Sequence, residues 1–254
     1  MKAVIKAWAS WNGALMFYTC LPIPRSWPLE FRWIAQWVPL IGAAVGGLLA
    51  AANWALSALH LPNTLASALV VALGIALTGG LHLDGVMDAA DGLAVPDASR
   101  RLEVMADSRM GAFGGMAAIV LVLLKVLALA ALVDNRAFVL IAVAVWGRWG
   151  QQWAIARYPY LKPTGKGAFH KAALPSIKYT LPSLLGIMLI SVGLGGLHLV
   201  PWPLIGRSLI GGLAIALITS AYFNQQLGGH TGDTYGAVVE WTEALLLCSL
   251  TASL

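Results

Sequence analysis

Residues 112–133 read AFGGMAAIVLVLLKVLALAALV, a nearly unbroken apolar segment with a single lysine. A helix of about 20 such residues is long enough to cross a hydrocarbon core of roughly 30 Å. Six further segments have similar length and apolarity, at about 38–59, 63–81, 137–156, 180–200, 203–223 and 237–254. The sequence therefore predicts an all-α, polytopic integral membrane protein, with about seven transmembrane helices in one domain that covers residues 1–254.

The composition supports this class of protein and excludes others. Of 254 residues, 59% are hydrophobic and 11% are charged, whereas soluble domains carry about 25% charged residues. A soluble single-core protein and a disordered chain are therefore excluded, and the lack of alternating apolar and polar strands argues against an outer-membrane barrel. Cys20 and Cys248 show no zinc or disulfide spacing, so we predict that both are buried small hydrophobic residues.

The segment before the first span, residues 8–21, is shorter than a span and is expected to be interrupted at Asn12-Gly13. It is predicted either to lie in the membrane interface, with Trp8 and Trp11 towards the headgroups, or to form an eighth, irregular span. Because it lacks the small-residue cleavage site of a signal peptide, we expect it to be retained.

The basic residues are distributed unevenly between the loops. Arg136 and Arg207 lie in the loops of one side, whereas twelve basic residues lie in the loops of the other: Lys2, Lys6, Arg25, Arg32, Arg100, Arg101, Arg109, Arg157, Lys162, Lys166, Lys171 and Lys178. The positive-inside rule predicts that the second side is cytoplasmic. The charge is dispersed between apolar segments, so the lipid bilayer is the expected partner and nucleic acid is not.

The most informative polar segment, residues 79–92, reads GGLHLDGVMDAADG and directly follows the second predicted span. Asp84, Asp88 and Asp91 are spaced i, i+4 and i+7, which places three carboxylates on one face of a helix. Carboxylates this close repel one another, so a compensating cation is expected. Mg²⁺ is typically held by one or two carboxylates together with substrate phosphates. The pattern therefore predicts metal-dependent chemistry on a pyrophosphate, with a solvated acidic turn as the alternative.

Residues beside this cluster have both functional and structural interpretations. His82 is a candidate to orient a carboxylate or contact phosphate, or else a structural hydrogen-bonding residue. Gly85 and Gly92 permit close approach of a phosphate to the backbone, or close helix packing. Asp107 is a candidate metal ligand or general base and Arg109 a candidate phosphate clamp, with a surface ion pair as the alternative.

Charged residues within the predicted spans are further candidates, because charge is costly in the bilayer. We predict that Arg148 binds phosphate, and the alternative is an arginine stacked between Trp146 and Trp149. Glu240 needs a partner, and Lys125 is a candidate either to pair with an intramembrane acid or to extend towards the interface.

Two polar loops complete the predicted site. The basic, glycine-rich loop at residues 158–167 is a candidate cradle for an anionic nucleotide. The loop after the sixth span supplies flexible backbone and oxygen acceptors for a sugar, a base or a metal-bound water, through Thr231, Gly232, Asp233 and Thr234.

In combination, these blocks resemble the cobalamin synthase family, the adenosylcobinamide-GDP ribazoletransferases of bacterial vitamin B12 assembly. The similar blocks are His82-x-Asp84-Gly85-x-x-Asp88-x-x-Asp91-Gly92, Asp107-Ser108-Arg109-x-Gly111, Gly147-Arg148-Trp149 and Gly228-Gly229-x-Thr231-Gly232-Asp233-Thr234-x-Gly236-Ala237. Residues 17–24 and 39–42 are similar as well, so the resemblance runs from about residue 15 to residue 243. The chain departs from the family pattern at residues 162–165 and at Tyr235.

The resemblance implies transfer of a phosphocobinamide group from adenosylcobinamide-GDP to α-ribazole or its 5′-phosphate, with release of GMP, at the bacterial inner membrane. It implies that Mg²⁺ is bound by Asp84, Asp88 and Asp91. Substrate contacts are expected at His82, Gly85, Gly92, Thr231, Gly232, Thr234 and Glu240. Self-association into a homo-oligomer is compatible with these expectations.

The resemblance also implies roles for four charged residues. Arg109 and Arg148 would stabilise the charge that develops on the reacting phosphate. Asp107 and Asp233 are both candidates for the base that accepts the hydroxyl proton, and the sequence leaves both open.

Three other classes of protein share parts of this pattern. CDP-alcohol phosphotransferases carry a DGxxAR signature, but Asp88-Ala89 stands where that signature has Ala-Arg. Prenyltransferases use two aspartate-rich clusters, and the second one here would contain Asp233 alone. A transporter would carry ionisable residues deep in several spans, whereas most of them here lie at one end.

Overall fold

The computed structural model describes residues 2–107, 109–162 and 167–251, with side chains from residue 4 onward. Within these ranges the regular structure is helical, which confirms the predicted all-α class. The helices are α1 (Lys2–Tyr18), α2 (Val38–Ala58), α3 (Asn63–Leu77), α4 (Leu81–Leu93), α5 (Arg101–Val104), α6 (Ala112–Ala131), α7 (Arg136–Arg157), α8 (Ala168–Ala173), α9 (Leu181–Gly196), α10 (Trp202–Leu227) and α11 (Gly232–Thr251).

Each of the seven predicted spans coincides with one helix: α2, α3, α6, α7, α9, α10 and α11. Among the described helices, α2, α6 and α10 are each long and apolar enough to cross a membrane. The segment Ile177–Gly196, which consists of a short helical turn and α9, also meets this condition. α3 and α4 reach this length and apolarity only as a pair, which is bent by 88°. The structure thus has four or five candidate spans, which supports a polytopic membrane protein.

The helices α7 and α11 are 22 and 20 residues long, but polar side chains lower their hydropathy. Both lie at the centre of the bundle, where α7 packs against α2, α10 and α11, and α11 also packs against α4 and α6. Their polar residues are buried, among them Arg148, Gln152 and Glu240. The more apolar helices therefore surround α7 and α11, the two central helices that carry polar groups.

The predicted span at residues 63–81 ends early, because α3 stops at Leu77 and the chain then turns sharply into α4. Gly79 and Gly80 adopt φ angles of 63° and 72°, a left-handed conformation that residues with a Cβ rarely take. The turn directs α4 against α6 and α11. It therefore places the acidic segment beside the start of the last helix.

The N-terminal segment is a continuous helix, so the interruption expected at Asn12-Gly13 does not occur. Asn12 donates from Nδ2 to the carbonyl oxygen of Pro28, at 3.1 Å, and the missing side chain of Gly13 leaves room for the carbonyl of Glu30. These residues hold the loop before α2 against α1. At 17 residues, α1 is about 26 Å long, slightly shorter than the hydrocarbon core.

The prediction that both cysteines are buried is wrong. Cys20 is exposed, since it follows the end of α1, and Cys248 in α11 is half-buried. Both are free thiols.

Candidate active site

Three polar segments meet at one end of the bundle: α4, the loop after α7 and the first turn of α11. Lys162 donates from Nζ to Oδ2 of Asp233, at 3.1 Å. Two backbone hydrogen bonds join the loops, from Leu161 N to His230 O at 2.8 Å and from His230 N to Pro159 O at 2.9 Å. These contacts bring the three segments together at one end of the bundle.

A close helix crossing brings the carboxylates of α4 next to Asp233. A Cβ at Gly85 would overlap the backbone of Asp233, and a Cβ at Gly236 would lie 3.0 Å from the Cα of His82. Both glycines are buried, so Gly85 acts on the site by allowing the two helices to approach. The crossing is needed to place groups from both helices in one site.

The electrostatic surroundings of Asp88 show which charges share the site. Asp84, Asp233 and Asp91 act on its carboxylate as like charges, and Lys162 acts as an opposite charge. Asp84 is exposed and Asp88 is half-buried. Both carboxylates can therefore be reached from outside the bundle.

Asp91 has a structural role that the sequence did not suggest. Its carboxylate accepts hydrogen bonds from the backbone N–H of Gly111 at 2.7 Å and of Gly114 at 2.8 Å. These donors lie in the first turn of α6, where N–H groups lack partners within the helix and favour an anion. A Cβ at either glycine would overlap the carboxylate. Asp91 thus anchors the start of α6 to α4.

Gly92, which the sequence suggested as a substrate contact, is a packing residue. It is buried, and a Cβ there would overlap the side chain of Met105 and lie 3.0 Å from the carbonyl oxygen of Arg101. It lets α5 pack against α4.

The start of α11 is fixed by two threonines that cap each other. Thr231 N donates to Thr234 Oγ1 at 2.8 Å, and Thr234 N donates to Thr231 Oγ1 at 3.3 Å, the reciprocal arrangement of a capping box. Thr231 Oγ1 also donates to Oδ2 of Asp233 at 3.1 Å. Both threonines are fully buried and Gly232 is exposed. The threonines therefore orient Asp233, and Gly232 is the accessible member of the predicted group.

His230 and two tyrosines support this loop, and the sequence analysis gave none of the three an individual role in the site. The His230 ring stacks on Tyr235 with centroids 5.4 Å apart, and Tyr235 stacks on Tyr160 at 5.8 Å. His230 Nδ1 lies 3.1 Å from Thr234 Oγ1. Burial lowers the pKa of His230 to about 4, so the ring is neutral at ordinary pH. The closest sequence signal was Tyr235, a departure from the family pattern.

The basic loop is described in part. Lys162, a basic residue of the predicted nucleotide cradle, contacts Asp233, and Gly167 N donates to the hydroxyl of Tyr160 at 3.2 Å. Residues 163–166 of the predicted nucleotide cradle lie outside the described residues, as does Ser108 of the Asp107-Ser108-Arg109 block.

Asp107 and Arg109 form an exposed ion pair, the alternative that the sequence left open. Arg109 donates from Nη2 to Asp107 Oδ2 at 2.6 Å and from Nε to both carboxylate oxygens at 3.1 Å. The Arg109 side chain is 88% exposed. Its hydrogen bonds lower the pKa of Asp107 to about 2, which makes this carboxylate a weak base.

Arg148 is buried in the centre of the bundle. Its Nη2 lies 3.4 Å from the carbonyl oxygen of Tyr18 and its Nη1 lies 3.4 Å from Oε1 of Gln151. The guanidinium lies over the Tyr18 ring, while Trp146 and Trp149 contact each other edge to face. The alternative of an arginine stacked between these two tryptophans is therefore wrong.

A buried charge cluster lies on the same side of α11 as Arg148. Lys125 Nζ is 2.6 Å from Glu240 Oε2 and 2.6 Å from Glu243 Oε2, so of the two alternatives for Lys125 the structure has the pairing with an acid of another predicted span. Together with Arg148 and His82 these groups line a cavity of about 60 Å³. Glu240 thus has a protein partner, and Glu243, three residues further along the same helix, is a member that the sequence analysis missed.

Among the residues that the structure describes, no three His, Cys, Asp or Glu side chains form a ready-made metal site. The predicted carboxylates instead divide by role, with Asp84 and Asp88 accessible and Asp91 hydrogen-bonded to α6.

Residues 10–251 match the family described as cobalamin-5-phosphate synthase. The chain is 54% identical to the adenosylcobinamide-GDP ribazoletransferase of Thermosynechococcus vestitus, over 96% of each chain. It is 54% identical to the protein of that name from Trichormus variabilis, over 94% of this chain and 95% of the relative. The Synechocystis relative of the same name is 49% identical over the same shares. No solved structure matches the chain. Because the family match covers nearly the whole chain, the protein belongs to the cobalamin-5-phosphate synthase family.

Proposed function

We propose that the chain is an adenosylcobinamide-GDP ribazoletransferase whose reaction takes place where α4, the loop after α7 and α11 meet. The main support for this location of the active site is that Asp84, Asp88, Asp233 and Lys162 converge at this end of the bundle. The family and its relatives supply the substrates, adenosylcobinamide-GDP and α-ribazole or its 5′-phosphate.

The reaction exchanges one phosphorus–oxygen bond for another. The ribazole 3′-hydroxyl attacks the phosphorus bound to cobinamide, the bond to the GMP oxygen breaks, and the hydroxyl proton passes to a base. Such transfers depend mainly on positioning and on electrostatic stabilisation of the phosphate oxygens. A site with both carboxylates and a lysine can hold the attacking hydroxyl and the anionic donor together.

The donor set at this end fits a Mg²⁺ ion. Asp84 and Asp88 offer two hard oxygen ligands one helical turn apart, and a bound pyrophosphate would supply others, which is the usual composition of such sites. Bound there, Mg²⁺ would neutralise charge on the pyrophosphate and polarise its phosphorus. Asp91 supports these two ligands from the next turn by fixing α4 to α6.

Of the two candidate bases, the geometry favours Asp233. Its carboxylate lies within the cluster and is oriented by Thr231, and its contact with Lys162 would be released when that lysine binds the donor phosphate. The carboxylate of Asp107 is instead paired with Arg109, and this ion pair lies on an exposed segment. Lys162 would then hold the donor phosphate. Arg148 would act indirectly, because its contacts in the centre of the bundle support the helices that form the site.

We expect Asp233→Asn to lower the rate of GMP release by about 100-fold, since it removes the base. Asp107→Asn should change the rate by less than about threefold. Since the pKa of Asp107 is about 2, this group is ionised throughout the pH range 5–9, so its removal should leave the pH profile there unchanged. Steady-state rates of both variants between pH 5 and 9 test this, and a larger loss in Asp107→Asn would reverse the assignment.

The activity itself is tested with purified protein in detergent. We expect GMP release when both adenosylcobinamide-GDP and α-ribazole phosphate are present, loss of this release with EDTA, and recovery with added Mg²⁺. Release of GMP without the ribazole would indicate hydrolysis instead of transfer, and full activity in EDTA would exclude the metal.

The proposed topology has seven crossings, with the site on the cytoplasmic side of the bacterial inner membrane. The seven predicted segments, each of which forms a helix, and the charge asymmetry of the loops support it. α7 and α11 would cross within the bundle, where their polar groups are shielded from lipid.

Reporter fusions test this topology. We expect a reporter fused after residue 97 to be cytoplasmic and one fused after residue 135 to lie on the opposite side, because α6 crosses between them. A reporter after residue 165 should again be cytoplasmic. If residues 97 and 135 are on the same side, α6 does not cross and the seven-span topology fails.

A further inference from the structure

A large lateral groove separates α9 from the rest of the bundle. Its volume is about 880 Å³ and it is lined by residues of α2, α7, α9 and α10, within the range of roughly 300–1,000 Å³ that is typical of ligand pockets. The helical segment Ile177–Gly196, which includes α9, has 11% of its apolar window buried, against 39% for α10. α9 is therefore a helix whose apolar surface is largely uncovered by protein.

The groove is apolar and is built partly from small residues. Its walls include Ala43 and Leu40 of α2, Ala142 and Ile141 of α7, and Gly186 and Ile187 of α9. An empty gap would forfeit the dispersion contacts of these side chains, and an apolar gap does not hold water. In a bilayer the molecules available to fill it are lipid acyl chains.

One end of the groove has a different chemistry. Lys178 and Tyr179 precede α9, and Gln36 and Trp37 precede α2, and all four line the groove there. Lys178 is exposed. Among the described residues that line the groove, it is the one with a charged side chain. Aromatic rings beside a lysine are typical of the level at which lipid headgroups lie.

We propose that this groove binds an anionic phospholipid of the surrounding bilayer, with its acyl chains between α9 and α7 and its phosphate at Lys178. The positive charge of Lys178 matches the phosphate of such a lipid, and the apolar walls of the groove match its acyl chains. The lipid would complete the packing of α9 and would be retained when bulk lipid is removed.

The test is native mass spectrometry of protein that has been delipidated in detergent and then mixed with equal amounts of phosphatidylglycerol and phosphatidylcholine. We expect one retained phosphatidylglycerol per chain. Lys178→Gln should still bind lipid but should favour phosphatidylglycerol about fivefold less, the effect of one lysine near an anionic lipid.

Two glycines of α9 supply a matched pair of variants. Gly186 lines the groove and Gly193 does not, and a Cβ at either position would meet nothing within 4 Å. Gly186→Phe should fill the groove and reduce lipid retention at least about tenfold, whereas Gly193→Phe should retain lipid as the unmodified protein does. Circular dichroism checks that both variants keep their helical content.

The proposal is overturned if the unmodified protein retains no lipid, or if Gly186→Phe retains as much lipid as the unmodified protein. It is also overturned if the protein is a dimer that retains no lipid, because a second copy of the chain would then cover the groove. Should Gly186→Phe not fold, Lys178→Gln decides alone, because an unchanged lipid preference would exclude a headgroup at this lysine.

Discussion

Asp88→Asn and Asp84→Asn are each expected to reduce the rate of GMP release by about 1,000-fold. Either change removes a carboxylate that would hold the metal on the pyrophosphate, and loss of one electrostatic contact to a developing charge costs about 10²–10³-fold in rate. Asparagine has nearly the same volume as aspartate, so packing is preserved. The measurement is turnover of detergent-purified variants at saturating Mg²⁺.

The stability of these variants separates a catalytic role from a structural one. Because each change removes one of several repelling charges, the thermal midpoint of metal-free protein should stay the same or rise. Asp91→Asn should instead lower it, since an amide oxygen cannot accept from Gly111 and Gly114 as two carboxylate oxygens do. Glu103→Gln, on an exposed side chain of α5, is the control and should match the unmodified protein. Near-normal turnover in both Asp84→Asn and Asp88→Asn would refute the metal site.

Seven of the helices could be predicted from the sequence, because a long apolar segment in a bilayer can satisfy its backbone hydrogen bonds by forming a helix. The ends of α2, α6 and α10 agree with the predicted spans to within a few residues. The family resemblance was also sufficient to identify the family, because its blocks occur in order over nearly the whole chain.

The roles of individual residues depended on contacts between distant parts of the chain. The capping of α6 by Asp91 joins residues 20 and 23 positions apart, and no spacing rule predicts it. Arg148 and Glu240 were predicted at the substrate because charge within a span suggests function. In the structure, charged groups in the centre of the bundle have protein partners, since Lys125 pairs with Glu240 and Glu243.

The sharp turn at Gly79-Gly80 had a visible sequence signal, since two adjacent glycines often mark a break. The apolar run nevertheless continues as far as residue 81, so apolarity by itself predicts a longer span than α3. Both glycines adopt positive φ angles, which residues with a Cβ rarely take, so this turn depends on glycine at these two positions.

Lys125→Met is expected to destabilise the folded protein by about 3–5 kcal/mol, the typical cost of removing one partner from a buried ion pair. Lys125 and Glu240 are 12% and 7% exposed, so water cannot replace the lost ammonium. With Arg148, the cluster of Lys125, Glu240 and Glu243 is neutral, and the substitution leaves an unbalanced negative charge. The measurement is the thermal midpoint and the yield of folded, detergent-purified protein.

A compensating variant distinguishes charge balance from lost packing. In Lys125→Met with Glu240→Gln, Arg148 and Glu243 remain and the cluster is neutral again, so most of the lost stability should return. If only the shape of the lysine mattered, the double variant would be no more stable than Lys125→Met. Lys125→Arg, which keeps the charge on a bulkier group, should lose less stability than Lys125→Met. A thermal midpoint of Lys125→Met equal to that of the unmodified protein would show that this cluster does not hold α6 to α11.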